Sequence, residues 1–195
     1  LPREELAKIP GYGADKAREL EQARRLLAEA GVGPGFKATM LTRKGAGFEA
    51  PAVFLKDQLA KIGIEVTLDV QESAAFYDRL NRGEFELFGG SYSAAVDDPD
   101  AVFGQSYLCD SERNYSKFCL PQLEDLFVKQ SQTTDVNERR RLVWEMERLA
   151  LTNVVKAVIA YRVNWWLWSN KVRNFYRQPS FYLTERHEDV WLAES

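Results

Sequence analysis

Few residues in this chain are of types that carry covalent chemistry, and their spacing narrows the field further. The sole histidine, His187, stands in the charged run Glu185-Arg186-His187-Glu188-Asp189. A serine or cysteine nucleophile would need that imidazole as its base, yet a histidine among solvated charges is generally a surface group. Gly89-Gly90-Ser91-Tyr92-Ser93 lacks the closing glycine of a nucleophile elbow. Two cysteines and one distant histidine cannot close a tetrahedral zinc site. No Walker loop and no G-x-G-x-x-G follows an apolar run, so nucleotide phosphates find no glycine cradle. The expectation is a protein that is not an enzyme, uses no cofactor and holds no metal.

The chain does carry recognition chemistry. Between Gly89 and Asp97, Tyr92 offers a stacking face and a hydroxyl, Gly90 and Ser93 offer hydrogen bonds, and Asp97 offers a negative charge. A half-buried structural tyrosine is the alternative for Tyr92. Arg43 and Lys44 follow an earlier apolar run, where they either meet an anion or are simply solvated. The group Asp97, Asp98 and Asp100 does not make a calcium loop, because Val102 stands where another oxygen ligand is required. Asp98 followed by Pro99 instead reads as an N-cap with proline at the first helical position, opening a short helix through Ala101, Val102 and Phe103. Cys109 and Cys119 flank a polar stretch. A disulfide there would suit an oxidising compartment and add about 2 to 3 kcal/mol; two free thiols are the other reading.

These groups need a scaffold, and the N-terminal half writes one three times as helix, glycine, strand. Leu20, Ala23, Leu27 and Ala30 form a helical stripe ended by Gly31, and Phe36, Ala38 and Met40 then alternate with polar neighbours. Ala52, Leu55, Leu59 and Ile62 lead through Gly63 to Ile64, Val66, Leu68 and Val70. Ser73 is the expected N-cap of a third helix with Phe76 and Leu80 inward, Gly83 closes it, and Phe85 to Phe88 continues as a strand. Strands joined by helical crossovers pair in parallel, so the expected class is α/β, an open, mainly parallel sheet flanked by helices. Ligands of such sheets bind outside the strands' carboxyl ends, which places the Gly89 to Asp97 loop and Arg43 on one edge.

Further along, Pro121 opens a helix with Leu123, Leu126, Phe127 and Gln130 on one face. A second helix from about Asp135 to Ala150 buries Leu142, Met146, Leu149 and Ala150. Val154 to Val163 is β-branched and reads as a strand. Tyr161 to Trp191 is dense in aromatics that must bury against something.

Composition agrees with a packed body: of 195 residues, 45% are hydrophobic, 12% aromatic and 28% charged. With 29 acidic against 26 basic residues and a net charge of -3, no positive field draws in nucleic acid. The apolar stretches are too short to span a bilayer. The opening Leu1-Pro2-Arg3-Glu4, with no secretory leader after it, reads as that of an excised or processed segment.

The ordered series Ala23-Arg24-Arg25-Leu26-Leu27-Ala28-Glu29-Ala30-Gly31, Gly35-Phe36-Lys37 and Gln58-Leu59-Ala60-Lys61-Ile62-Gly63-Ile64-Glu65-Val66 resembles the C-terminal part of family 5 extracellular solute-binding proteins. Gly83-Glu84-Phe85-Glu86-Leu87, Asp98-Pro99-Asp100, Asn114-Tyr115-Ser116 and Asp189-Val190-Trp191-Leu192 extend the likeness. These are the dipeptide, oligopeptide and nickel receptors of ABC importers. The resemblance implies a ligand-binding lobe over residues 1–160 and a crossover segment over 161–195 that returns to an N-terminal lobe. It implies closure on a peptide-like or other small polar solute, delivery to a membrane permease, and a periplasmic or extracellular location. Peptide receptors of this kind commonly have Gly-Trp and, three residues after the Trp, an Asp that pairs with the peptide's amino group. Here Tyr92 takes the aromatic position and Ala95 the acidic one, so a standard peptide N-terminus would be left without its counter-charge unless Asp97 substitutes. An α/β enzyme with its catalytic residues elsewhere, and an interaction module built on the aromatic tract, are the competing classes.

Overall fold

The computed structural model describes residues 1–94, 96–160, 163, 165–175 and 187–193. The chain forms two compact units, Leu1–Tyr92 and Ser93–Ser195.

The first unit contains α1 (Arg3–Leu6), α2 (Lys16–Glu29), β1 (Phe36–Arg43), α3 (Ala46–Ala60), β2 (Ile64–Gln71), α4 (Ser73–Arg82) and β3 (Leu87–Gly89). The sheet order is β2-β1-β3, with both pairings parallel. Met40 registers with Leu68 on one side and Leu87 on the other, so β1 is the central strand. Its position explains its burial: Ala38, Met40, Leu41 and Thr42 are all covered. Met40, Ala52 and Val66 form a core with Leu55, Leu59, Ile64 and Leu68 around it, the α3 stripe read from the sequence. Phe76 and Leu80 of α4 are buried as well.

Two glycines carry the grammar physically. Gly63, at φ 88°, turns the chain from α3 into β2, and a Cβ there would stand 3.2 Å from Pro34 Cα. Gly83 caps α4 in the left-handed conformation that a side chain would strain.

Two local expectations are corrected. Ser73 is not the N-cap of α4; Glu72 occupies that position and makes no side-chain capping bond, its carboxylate instead accepting a hydrogen bond from Lys44. The third strand is not Phe85 to Phe88, because Glu86 Oε2 accepts the Thr39 N–H at 2.6 Å, and ladder pairing begins only at Leu87. The α2 stripe forms a helix, capped by Asp15, but none of its residues is fully buried.

The second unit contains α5 (Pro99–Ser106), α6 (Pro121–Gln132), α7 (Val136–Thr152) and the short antiparallel pair β4 (Val172–Arg173) and β5 (Trp191–Leu192). Phe103, Leu123 and Met146 form its core with Tyr107, Leu126, Phe127, Val143 and Leu149 packed around them. Cys109 and Cys119 are joined in a disulfide. Inside that loop the buried Asn114 donates to the carbonyls of Leu108, Cys109 and Phe118.

The described part of Val154 to Val163 is not a strand. The Val155 N–H returns to Ala150 O, Val154 takes φ 52°, and Lys156 reaches to Ser106 O at 2.7 Å, so local and side-chain contacts replace a ladder. Of the aromatic tract, Trp165, Trp166, Trp168 and Trp191 are exposed, while Tyr161, Tyr176, Phe181 and Tyr182 lie outside the described residues. His187 stacks on Phe175, ring centroids 6.0 Å apart.

Candidate ligand-binding site

Parallel pairing puts the carboxyl ends of β1, β2 and β3 side by side, with Arg43 opposite Gln71 and Thr42 opposite Gly89. Thr42, fully buried, fixes this rim: its hydroxyl lies 3.4 Å from both the Phe48 and the Gly89 carbonyls, tying the first turn of α3 to the end of β3. The turn into α3 is set by Gly45 at φ 123°, whose N–H is accepted by Glu49 Oε1 at 2.7 Å.

Arg43 ends the central strand. Its guanidinium lies over the Phe48 ring at 3.8 Å, with the Tyr77 ring at 6.0 Å. Its Nε is buried and has no hydrogen-bond partner. Neighbouring Lys44 is occupied differently: its Nζ donates to Glu72 at 2.7 Å on the open surface, and that carboxylate raises the lysine's pKa. Such an exposed pair adds little stability.

Gly90 is exposed, and a Cβ there would meet the Phe88 ring at 3.4 Å. Tyr92 is 40% exposed, so its ring is not sealed inside the fold. Ser93 is half-buried and Asp97 exposed, both in the second unit, and Ala95 lies outside the described residues. Arg43 thus ends β1, and Gly90 and Tyr92 follow the end of the neighbouring β3. Phe48 and Tyr77 escaped the sequence reading, since they come from two different helices and no short-range pattern links either to Arg43.

Asp98 is structural. It caps α5 by accepting the Asp100 N–H at 2.9 Å, and both its oxygens accept from Arg139. The Arg139 guanidinium holds the Asp98 carboxyl below its usual range, against an opposing effect of burial. The helix start read from Asp98-Pro99 is thus present in the structure. Buried Gln130 links the same cluster, donating to Asp100 and accepting from Arg139 Nε at 3.0 Å.

A cleft of about 410 Å³ near the amino-terminal half of β1 is lined by Thr39, Leu41, Arg79, Glu84, Phe85 and Glu86. Its polar groups are already engaged. Arg79 pairs with Asp69 and donates to Glu84 O, and Glu86 accepts the Thr39 N–H.

The first unit is thus an open parallel α/β sheet flanked by helices, with Arg43 ending its central strand. Residues 6–114, more than half of the chain, match the family described as bacterial extracellular solute-binding proteins, family 5 Middle, and the chain belongs to that family. It is 24% identical over 153 residues to the dipeptide-binding protein of Escherichia coli K12, covering 74% of this chain and 28% of that protein. The periplasmic binding protein DppA of Helicobacter pylori, solved with the peptide STSA, superposes with a TM-score of 0.69 at 25% identity, over 89% of this chain and 34% of that one. NikA of Staphylococcus aureus, solved with Ni(L-His)2, gives a TM-score of 0.67 at 25% identity, over 82% and 35%. The chain therefore spans about a third or less of the length of these relatives. The first two are named as binding proteins.

Proposed function

We propose that this chain is part of the substrate-binding component of an ABC importer. It captures a peptide-like or other small polar solute between two lobes and delivers it to a membrane permease. The observation that carries this reading is the parallel sheet itself, with Arg43 ending its central strand, inside the residues that match the family. Tyr92 stacks on the solute, Gly90 hydrogen-bonds to it, and Arg43 matches its charge. Affinity comes from closure of a second lobe over this half-site. With alanine at position 95, a free ammonium has no carboxylate at that position, which favours ligands other than an ordinary peptide N-terminus.

The exposed side chains of Trp165, Leu167, Trp168, Trp191 and Leu192 support a further contact, the N-terminal lobe of the same receptor. The relatives named above support a periplasmic location, as does the disulfide. Among the described residues no helix is long and apolar enough to cross a membrane.

The test is native mass spectrometry of the receptor purified from its own host, followed by calorimetry with whatever solute it carries. A stoichiometric small polar solute is expected. Absence of any bound solute together with turnover of a substrate would replace this reading with an enzymatic one.

A further inference from the structure

The bridge between Cys109 and Cys119 is asymmetric in its surroundings. Cys119 is exposed, whereas Cys109 is half-buried. The charges beside the two cysteines differ in the same sense. Glu124 Oε1 accepts the Cys109 N–H at 2.6 Å, and Asp110 follows Cys109 in the chain, while the exposed Lys117 stands two residues before Cys119. An anionic nucleophile is therefore repelled at Cys109 and admitted at Cys119. The loop between them has closures besides the bridge. Buried Asn114 donates to Cys109 O on one arm and to Phe118 O, next to Cys119, on the other, and the Asn114 and Lys117 N–H groups close turns onto Ser111 O and Asn114 O.

We propose that this bridge is a site of reversible S-thiolation by small anionic thiols, entered at Cys119 and closed again by Cys109. The incoming thiolate attacks Cys119 Sγ, the S–S bond to Cys109 breaks, and its electron pair leaves on Cys109 as a thiolate. A mixed disulfide forms at Cys119 with no outside oxidant or reductant. Because Asn114 keeps the two arms together, the Cys109 thiolate stays within reach of Cys119 Sγ and expels the thiol by the reverse exchange. The Glu124 carboxylate drives that return, since its like charge destabilises a thiolate at Cys109. The modification is thus short-lived, and the disulfide is its resting form. This chemistry is independent of solute capture and goes beyond it.

The test exposes the oxidised chain to 2-mercaptoethanesulfonate, an anionic thiol, and separately to cysteamine, a cationic one. N-ethylmaleimide then caps whichever cysteine is released, and peptide mass spectrometry locates both labels. With the sulfonate, thiol on Cys119 and maleimide on Cys109 should exceed the reverse pattern about tenfold, and cysteamine should show a smaller bias. Glu124→Gln keeps an acceptor for the Cys109 N–H and should narrow the bias of the sulfonate. Asn114→Ala should raise the trapped mixed disulfide several-fold, with a melting curve to check its fold; where that variant does not fold, Glu124→Gln decides. Equal or reversed labelling of the wild type, no mixed disulfide, or a bias unaltered in Glu124→Gln overturns the proposal.

Discussion

Arg139 donates from Nη1 and Nη2 to the two oxygens of Asp98, at 3.0 and 2.7 Å, while Asp98 Oδ1 also accepts the Asp100 N–H that opens α5. One carboxylate thus caps a helix and anchors α7 to it. Asp98→Ala removes both functions and should destabilise the chain by about 1 to 2 kcal/mol from the cap alone. Asp98→Asn retains a capping oxygen and should lose less. The order of the two denaturation midpoints checks this.

The same pair makes an acid-side prediction. Arg139 lowers the folded-state pKa of Asp98, so the carboxylate contributes stability above its unfolded value of about 3.9 and loses it as pH falls through the folded value. Asp69, lowered by Arg79, acts in the same direction. Wild-type stability should therefore fall between about pH 5 and pH 2. Asp98→Asn should flatten part of that fall in a urea titration repeated at each pH.

Lys156 predicts the opposite limb. Its ammonium donates to Ser106 O and stands 4.6 Å over the Tyr107 ring, and burial lowers its pKa to about 8. Between that value and the unfolded one of about 10.4, the unfolded chain binds more protons, so this group makes stability rise with pH. Relative to Lys156→Met, the wild type should gain stability as the pH rises through that window. Parallel pH profiles for the two proteins would remove Lys156 from the account.

Reduction of the Cys109–Cys119 bridge should lower stability by about 2 to 3 kcal/mol without unfolding the loop. Asn114 still holds three carbonyls there, at 2.7 to 3.3 Å. Asn114→Ala in the oxidised chain leaves buried acceptors unpaired and should cost about 1 to 3 kcal/mol. Combining it with reduction should exceed the sum of the two, read from melting curves with and without reductant.

In the receptor, Tyr92→Ala should weaken solute binding roughly tenfold with an unchanged melting temperature, since a half-exposed ring contributes little to the core. Calorimetry checks this, and an unaltered dissociation constant would take Tyr92 out of the site.

What could be read in advance was whatever local chemistry determines. Gly63 and Gly83 mark their helix ends because only a left-handed turn fits there, and Asp98-Pro99 marks a helix start for equally local reasons. The parallel pairing of β1 with both neighbours followed from the repeated crossovers. Failures came where distant groups intervene. The Glu86 carboxylate displaces two residues of an expected strand by reaching Thr39, and Lys156 and the backbone turn at Val154 keep the described part of a β-branched run out of a ladder. Arg43 was visible as a cation at a strand end, but its aromatic support was not, because Phe48 and Tyr77 meet it only once the sheet has formed.

The carboxylate of Glu86 on the Thr39 N–H has a bearing on solubility. Beyond the short β3, that flank of β1 would otherwise present a bare row of amide groups, the kind of surface through which a foreign strand adds and aggregates grow. A fixed negative charge on that flank repels acidic neighbours and occupies a donor that an incoming backbone would need.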